Sequence, residues 1–444
     1  MKRREFLDKG ARYAAGAFAG AALLDGVLYA AGSGKKPNIV IILTDDLGYG
    51  DIGCFGSKSI ATPNLDRMAS EGARLTNFFS SAAVCSPSRA GLLTGRYPPR
   101  TGVTEVLFPF SSLLTTYNRA DGVAPGLPLD EMTIAEALKP AGYSTCCVGK
   151  WHLGDEPPFW PNKRGFDHYM GLLYSNDMTP LRRYRNGKVI EDPVNQNLLT
   201  REYTQEAIEF ISHVKDRPFF LYFAHTFPHV PLHASPEFRG RSKGGLYGDC
   251  VEEIDWSAGQ LALALKHFGM DDNTVIFFTS DNGPWFEGSP GGYRGRKNES
   301  FDGGMRVPFI ARWPGRIPPG KSSDEMSMNF DLFATSLAIA GAPIPTDRVI
   351  DGKNILPMLQ GREPSPHEAL YFYHGRELQA VRWKNWKYHR RHRVMVYPFV
   401  KHGPWLFNLE DDPNESYNAI DKYPDIAKKL EGMMKEWEAN FKAR

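Results

Sequence analysis

Short apolar runs alternate along the chain with longer segments in which apolar positions recur at helical spacing. The apolar runs have the length and the β-branched or aromatic content of strands that are buried on both faces. They are residues 37–43, 143–149, 218–224 and 273–280. The helical spacing is clearest over residues 200–215 and 249–268. This alternation predicts an α/β fold, with a mostly parallel, doubly wound sheet flanked by helices.

Local signals add further elements between these runs. Thr62 as an N-cap and Pro63 in the first turn predict a helix over residues 62–72. Further helices are predicted over residues 132–141 and 329–340, and further strands over 74–79 and 307–312. Two stretches, 104–129 and 156–195, are rich in proline, glycine or polar residues and are predicted to be long loops.

The pattern changes from about Glu363 onward. Short aromatic strands are predicted there, and a helix over residues 424–441 follows them. The strands are residues 369–373, 378–382, 386–389 and 405–409. We therefore predict a main domain over residues 32–362 and a smaller C-terminal subdomain over residues 363–444, built from an antiparallel sheet and a terminal helix.

The first 31 residues have the features of an export signal. Lys2, Arg3 and Arg4 precede an apolar stretch that is rich in alanine and glycine, over residues 14–31. The paired arginines resemble a twin-arginine signal, and the alternative is an ordinary secretion signal. Asp25 interrupts the stretch, which argues against a membrane anchor, and no later segment is long and apolar enough to span a bilayer. We expect a protein that the export machinery delivers to the periplasm or the extracellular space.

Composition and charge argue against some classes of function. The 444 residues are 42% hydrophobic and 23% charged, as in globular proteins, and the net charge is +2. This small basic excess argues against nucleic acid as the main partner. The 5 cysteines form no regular framework and no CxxC pair, so neither a disulfide scaffold nor a zinc site is predicted.

Polar side chains follow the predicted buried strands directly. They are Asp45 and Asp46, Lys150 and His152, His225 and His229, and Asp281 and Asn282. Because ligands of such sheets bind beyond the carboxyl ends of the strands, these side chains are predicted to form one site. Carboxylate and amide oxygens favour calcium or magnesium. The alternative is that each acidic pair only stabilises the turn after its strand.

A cysteine precedes a predicted helix in the stretch VCSPSRAGLLTGRYP, residues 84–98. Pro87 fits the first turn, which places Cys85 at the helix N-terminus, with Arg89 on the same helix face. A thiol in this position is predicted to be acidic and reactive. The alternative is a buried structural cysteine. Together with Lys150, Lys297 and the histidines, the stretch predicts a pocket for a small polyanion.

These motifs resemble those of the type I sulfatases, in particular the group of arylsulfatase A and N-acetylgalactosamine-6-sulfatase. CSPSR followed by TGR is similar to their signature, and the resemblance covers nearly all of the chain after the signal. It includes NIVIILTDDLGYGDIGCFG, GYSTCCVGKWHLG, HTFPHVP, FFTSDNGP and RGRKNESFDGGMRVPFI. The resemblance implies an alkaline-phosphatase-like fold and hydrolysis of sulfate esters, with a sulfated carbohydrate or a small sulfate ester as substrate.

The resemblance also implies a role for each site residue. Cys85 would be converted to formylglycine by a sulfatase-maturating enzyme, and its hydrated aldehyde would be the nucleophile. One calcium ion would be bound by Asp45, Asp46, modified Cys85, Asp281 and Asn282. Arg89 would hold the hydrate and the carboxylates, and Lys150, His229 and Lys297 would bind sulfate. Either His229 or Lys297 would protonate the leaving alcohol, and His152 would accept the proton whose loss releases sulfate.

Alternatives stay open at this point. A phosphate or phosphonate monoester hydrolase of the same superfamily would use a related site, and a non-catalytic protein that binds sulfated glycans would need only the pocket. Arg296, next to Lys297, is a second candidate to face sulfate. Two arginine clusters, Arg182/Arg183/Arg185 and Arg390/Arg391/Arg393, either recognise further charge on a glycan or are solvated surface.

Overall fold

The computed structural model describes residues 35–394 and 397–443. The predicted export signal, residues 1–31, lies outside the described residues. A 10-stranded mixed sheet forms the centre of the molecule. From one edge to the other its strands are Lys321–Ser323, Ala73–Leu75, Phe309–Arg312, Thr274–Ser280, Asn38–Thr44, Phe219–Ala224, Ser144–Lys150, His168–Leu172, Arg183–Arg185 and Lys188–Glu191.

The middle of this sheet is parallel. The strands from Thr274–Ser280 to His168–Leu172 pair in parallel, and Phe309–Arg312 joins them antiparallel. Thr44 pairs with Ser280 and Leu43 with Ala224, so the carboxyl ends of these strands are level. Residues that follow the strands therefore meet at one edge, as predicted.

Both faces of the sheet are covered, which explains the continuous apolar runs. In the strand Asn38–Thr44, Ile39, Ile41 and Leu43 belong to one hydrophobic cluster, and Val40 and Ile42 belong to another on the opposite face. The helices are Pro63–Ser70, Cys85–Thr94, Pro98–Thr101, Leu113–Ala120, Ile134–Leu138, Leu199–Val214, Gly245–His267, Asp302–Met305, Asp331–Ala340, Leu356–Leu359 and Pro424–Asn440. Short 3₁₀ turns are Gly53–Phe55, Lys139–Ala141, Pro157–Phe159, Pro161–Lys163, Gln196–Leu198 and Asp271–Asn273.

A small antiparallel sheet and the last helix form the C-terminal part, as predicted. The sheet consists of Ala369–His374, Glu377–Trp383, Trp386–His389 and Trp405–Asn408. Its apolar face shares one hydrophobic cluster with Phe79 and Tyr97 of the main domain and with Leu430 of the last helix. Two-stranded ladders pair Phe78–Phe79 with Ser327–Met328 and His392–Val394 with Tyr397–His402. The domain boundary near residue 362 stays a prediction.

Both predicted long loops contain regular structure, so those predictions were wrong. Residues 104–129 include the helix Leu113–Ala120, whose N-cap Ser112 accepts a hydrogen bond from the Leu114 amide. Residues 156–195 include a parallel strand, His168–Leu172, and an antiparallel pair, Arg183–Arg185 and Lys188–Glu191, of which the second is the edge strand. The parallel strand is only five residues long and contains His168 and Gly171, so it lacks the continuous apolar signal.

The structure also corrects two details, the extent of one predicted strand and the N-cap of one predicted helix. The predicted strand 74–79 is divided into Ala73–Leu75 and Phe78–Phe79, which belong to different sheets. Pro63 begins its helix as expected, but the Thr62 hydroxyl makes no cap hydrogen bond. It accepts from the Gly53 amide and donates to Asp66 instead. Among the described residues, no helix has the length and apolar character needed to cross a bilayer.

Candidate active site

Acidic and amide side chains meet where two neighbouring strands end. Asp45 and Asp46 follow Asn38–Thr44, and Asp281 and Asn282 follow Thr274–Ser280. The Asp46 amide donates to Asp281 Oδ1 (3.2 Å), and Asn282 Nδ2 donates to Asp46 Oδ1 (2.7 Å). Asp46 has a φ of 62°, a left-handed conformation that non-glycine residues adopt mainly where the surrounding structure holds them. The register of the sheet thus brings the four predicted oxygen donors together.

Cys85 is the first residue of the helix Cys85–Thr94, directly after the extended residue Val84. Its side chain is buried, and its Sγ donates to Asp45 Oδ1 (3.7 Å). Burial raises the pKa of the thiol to about 12, although the positive charges of Lys150 and Lys297 oppose this. The prediction of an acidic thiol is therefore wrong, because the loss of solvation outweighs the helix terminus and the nearby cations.

Arg89, one helical turn after Cys85, holds the carboxylates in place. Its Nε donates to Asp281 Oδ2 (2.9 Å), and its Nη2 is 3.2 Å from Asp45 Oδ2. The third guanidinium nitrogen, Nη1, donates to the Lys150 carbonyl (2.8 Å). With no exposed side-chain surface and charge-assisted bonds on each nitrogen, Arg89 is fixed in one orientation.

Lys150 forms an ion pair with Asp45 and donates to Ser175 Oγ (3.1 Å). Burial would raise the pKa of Asp45, but Lys150, together with the other nearby basic groups, holds it far below its usual range. By contrast, burial and the charge of Asp45 raise the pKa of Asp281 to about 6. Ser175 was missed from the sequence, because it follows the strand His168–Leu172 that was predicted to be loop.

His152 is buried, and one of its ring nitrogens is an acceptor without a partner in the described structure. Its Nε2 is 2.8 Å from the Leu107 carbonyl, which can only accept, so Nε2 carries the hydrogen and Nδ1 is the free acceptor. Among the described residues, Nδ1 has no hydrogen-bond partner. Burial and the charge of Lys150 hold the pKa of His152 well below its usual value, so the imidazole is neutral at pH 7. Its φ of 59° is a second left-handed conformation in the site.

His229 and Lys297 lie where the site opens to solvent. Lys297 Nζ donates to Asp46 (2.9 Å), and His229 Nε2 is 3.7 Å from Asp46 Oδ2. Their side chains are 13% and 7% exposed, whereas those of Arg89 and Lys150 are fully buried. Burial opposes the charge of Lys297, but Asp46 raises its pKa well above the usual value; burial lowers the pKa of His229. Solvent therefore reaches these two side chains but not Arg89 or Lys150.

Some candidate residues do not join the site. Arg296 donates to the carbonyls of Trp285 and Gly288 (2.8 and 2.7 Å), so Lys297 is the cation that faces the carboxylates. His225 is buried 3.5 Å from Ser257 Oγ on the other side of its strand end, and burial lowers its pKa to about 3.

The arginine clusters are paired within the protein. Arg182 pairs with Asp192, Arg185 with Glu206 and Arg390 with Glu438. Arg183 contacts Glu191 and Glu202, and Arg391 donates to the Gly403 carbonyl. The Arg393 side chain lies outside the described part of the chain.

The side chains at the strand ends provide donor atoms that suit a hard cation. Ligand atoms of Asp45, Asp46, Cys85 and His229 all lie within 4.8 Å of one another. Asn282 Oδ1 is buried and, within the described residues, has no hydrogen-bond partner, so a lone pair is left for a cation. Because most of these donors are oxygens, the residues fit calcium or magnesium better than zinc. His229 belongs to this group of possible ligands, although the family resemblance implies that it binds sulfate.

Comparisons with known proteins agree with this geometry. Residues 37–342 match the family described as Sulfatase, and residues 296–440 match N-sulphoglucosamine sulphohydrolase, C-terminal. The rat N-acetylgalactosamine-6-sulfatase is 43% identical, with 82% of this chain and 73% of that protein covered. Human steryl-sulfatase is 35% identical, with coverages of 79% and 74%.

Solved structures give the same assignment. Ps i-CgsB in complex with k-i-k-neocarrahexaose has a TM-score of 0.78 at 31% identity, covering 91% of this chain and 93% of its own. The PsFucS1 sulfatase from Pseudoalteromonas sp. has a TM-score of 0.82 at 28% identity, with coverages of 94% and 93%. The phosphonate monoester hydrolase of Agrobacterium radiobacter, at 20% identity and a TM-score of 0.67 with coverages of 91% and 96%, shares the alkaline-phosphatase-like fold. The chain therefore belongs to the sulfatase family and is a sulfuric ester hydrolase.

Proposed function

We propose that this enzyme removes sulfate from a sulfated carbohydrate, with a nucleophile derived from Cys85 and one bound calcium ion. The observation that carries the proposal is the position of Cys85, buried at a helix N-terminus with its Sγ 3.7 Å from Asp45. A thiol with a pKa of about 12 is a poor nucleophile at neutral pH. Conversion of Cys85 to formylglycine would replace it with an aldehyde whose hydrate offers hydroxyl groups at the same place.

Calcium would be held by Asp45, Asp46, Asp281, Asn282 and an oxygen of the modified Cys85. Without a cation, three carboxylates (Asp45, Asp46 and Asp281) face three basic side chains (Arg89, Lys150 and Lys297), so their formal charges cancel. A bound divalent cation makes the site positive, which favours an anionic ester, and it stabilises negative charge next to residue 85.

The protein's own side chains then have separate tasks. Lys150, Lys297 and His229 would contact the sulfate group, and Arg89 would hold the carboxylates of Asp45 and Asp281. Because His229 and Lys297 lie at the opening, either is placed to donate a proton to the leaving alcohol oxygen. His152 Nδ1, neutral and without a partner in the described structure, is placed to accept a proton released at residue 85.

A sulfated sugar is the substrate class that the comparisons favour. The proteins at 42–43% identity are named N-acetylgalactosamine-6-sulfatase, and Ps i-CgsB was solved in complex with k-i-k-neocarrahexaose. The named steryl-sulfatase is more distant, at 35% identity. N-acetylgalactosamine 6-sulfate is therefore the first sugar to test.

The test compares 4-nitrophenyl sulfate with 4-nitrophenyl phosphate, which share one leaving group, and then a panel of sulfated sugars that includes N-acetylgalactosamine 6-sulfate. We expect sulfate release from the aryl sulfate and from at least one sugar. Faster hydrolysis of the phosphate would contradict the proposal in favour of a phosphate or phosphonate esterase. Binding of sulfated glycans without any turnover would instead indicate a binding protein.

We further propose that the chain is modified by a maturating enzyme in the cytosol and exported in the folded state. Lys2, Arg3 and Arg4, with the apolar stretch that follows, support this route. Replacing both arginines with lysine is expected to leave modified enzyme in the cytosol. Normal export of that variant would contradict a twin-arginine route.

A further inference from the structure

One loop carries Lys297 into the active site. We call residues 294–304 the Lys297 loop. It is closed by a hydrogen bond from the Gly303 amide to the Arg294 carbonyl (2.7 Å). At the active site, the Lys297 amide donates to the Pro284 carbonyl (2.9 Å), and the Asn298 amide donates to the Ala83 carbonyl (2.8 Å). The Lys297 loop therefore rests on the segment before Cys85 and on the turn that follows Asn282.

The other side of the Lys297 loop is bound by the C-terminal sheet. Lys387 Nζ, on the strand Trp386–His389, donates to the Ser300 carbonyl (3.0 Å) and to Asp302 Oδ1 (2.6 Å). The Ser300 hydroxyl donates to Gln379 Oε1 on the next strand (2.8 Å). Side chains of the antiparallel sheet thus hold the loop backbone directly.

Glu415 also binds the Lys297 loop, and we call Lys387, Asp302 and Glu415 together the anchor of this loop. Glu415 Oε2 accepts from the Asp302 amide (2.7 Å), and its Oε1 lies 3.0 Å from Lys387 Nζ and 2.8 Å from His389 Nε2. The Glu415 carbonyl accepts from Arg294 at the start of the loop (2.8 Å). Lys387, Asp302 and Glu415 have no exposed side-chain surface, so their pairing is not weakened by solvent.

Close packing transmits the position of this anchor to the active site. A Cβ on Gly304 would lie 2.2 Å from the Glu299 carbonyl oxygen, so the two sides of the loop are in van der Waals contact. The Gly304 carbonyl accepts from the Gly283 amide (2.9 Å), one residue after Asn282. A displacement at Asp302 would therefore move the loop backbone that carries Lys297.

We propose that Lys387, on the C-terminal sheet, and Glu415, in the segment after its last strand, are positioning residues of the active site: they set the place of Lys297. The inference rests on the role of Lys297 in sulfate binding proposed above. It assigns the C-terminal sheet a part in catalysis although its strands supply none of the proposed catalytic side chains.

The test is a double-mutant cycle between Lys387→Met and Lys297→Ala, measured on 4-nitrophenyl sulfate. Lys387→Met alone is expected to lower kcat/KM by about 10- to 100-fold, as loss of a residue that orients a ligand does. Its inhibition by inorganic sulfate is expected to weaken several-fold, because Lys297 is displaced. In the Lys297→Ala background, Lys387→Met should change kcat/KM by less than about threefold, because the residue that it positions is gone.

His367→Gln is the matched control. The His367 side chain is hydrogen bonded to Asp331 (2.8 Å), and neither residue belongs to the Lys297 loop. This variant is expected to lower thermal stability and to leave kcat/KM and sulfate inhibition nearly unchanged. Ser300→Ala is a second variant, which serves if Lys387→Met does not fold. It removes one hydrogen bond and no charge, so we expect a smaller loss of kcat/KM. This loss should also disappear in the Lys297→Ala background.

Two failures are distinguishable. If Lys297→Ala keeps full activity, the proposed role of Lys297 is wrong. If Lys297→Ala is impaired but Lys387→Met and Ser300→Ala lower activity by the same factor in both backgrounds, Lys297 is catalytic and the C-terminal sheet does not position it.

Discussion

Two buried clusters of charge lie close together in this protein and differ in the groups beside their carboxylates. Every carboxylate oxygen is paired, both at the strand ends and in the interface cluster (Asp302, Arg306, Lys387, His389 and Glu415). At the strand ends, however, Asn282 Oδ1 and His152 Nδ1 have no hydrogen-bond partner in the described structure. Because unsatisfied buried atoms carry a free-energy cost, a ligand is expected beside these two atoms and the carboxylates.

The pKa values of the acidic side chains also differ between the two clusters. Among the strand-end acids, the pKa of Asp45 is held far below its usual value, while burial and Asp45 raise the pKa of Asp281 to about 6. In the interface cluster, Lys387 and its neighbours outweigh burial, so the pKa values of Asp302 and Glu415 are both lowered. Environments that separate the pKa values of neighbouring acids are typical of reaction sites, whereas uniformly paired acids are typical of structural ones.

The largest expected effect comes from Cys85. Cys85→Ala should lower turnover of 4-nitrophenyl sulfate by about 10⁴-fold or more, because the nucleophile is lost, and should change the melting temperature little. Cys147→Ala is the control, since this thiol is equally buried in the neighbouring strand Ser144–Lys150. Comparable losses of activity in both variants would remove the distinction between a reactive and a structural cysteine.

Calcium is expected to bind at the strand-end cluster and not at the interface cluster, and its binding should stabilise the folded protein. At a concentration of 100 times its Kd, it should raise the free energy of unfolding by about 2.7 kcal/mol. Asn282→Ala should weaken calcium affinity at least about 10-fold, whereas Asn282→Asp, which keeps an oxygen donor, should retain binding. Isothermal titration with calcium measures both. An unchanged affinity in Asn282→Ala would mean that the unpaired oxygen is not a ligand.

The interface cluster should affect stability and its dependence on pH. Burial would raise the pKa of Glu415, but Lys387 and His389 hold it below the usual 4.5. Its contribution is therefore present above pH 4.5 and is lost as the pH falls through the lowered value. Glu415→Gln should cost about 3 kcal/mol at neutral pH and less under acid conditions, measured by urea unfolding. If the difference in the free energy of unfolding between this variant and the unchanged protein did not depend on pH, an ionised Glu415 paired with Lys387 would be contradicted.

The smallest effect is expected at the exposed arginines. Arg182 pairs with Asp192, and both side chains are more than 40% exposed, so solvent screens the pair. Arg182→Ala should change the KM for a sulfated oligosaccharide by less than about twofold. A large rise in KM would show that this cluster recognises the glycan and that its pairing does not prevent recognition.

Much of this comparison follows from sequence patterns, for physical reasons. Continuous apolar runs predicted the buried strands, and the polar residues directly after them predicted the strand-end cluster, because parallel strands end at one edge. The spacing of Cys85, Pro87 and Arg89 predicted the helix that orients them. These signals are local or depend on a single rule of sheet geometry.

Other features depend on tertiary packing and have no local signal. The acidity of Cys85 was mispredicted because burial among neighbouring elements decides it. Ser175 was missed because the short strand before it lacks an apolar run. The partnership of Lys387, Asp302 and Glu415 joins residues 28 to 113 positions apart, which a pattern along the chain does not reveal.

The most direct measurement is the mass of the tryptic peptide of residues 75–89, which contains Cys85, from enzyme purified from its own host. The account predicts a peptide lighter by the change from a cysteine to an aldehyde side chain, with carbonyl reactivity that labels it. An unmodified thiol in active enzyme would contradict the account, because a buried thiol of this pKa would then have to act as the nucleophile.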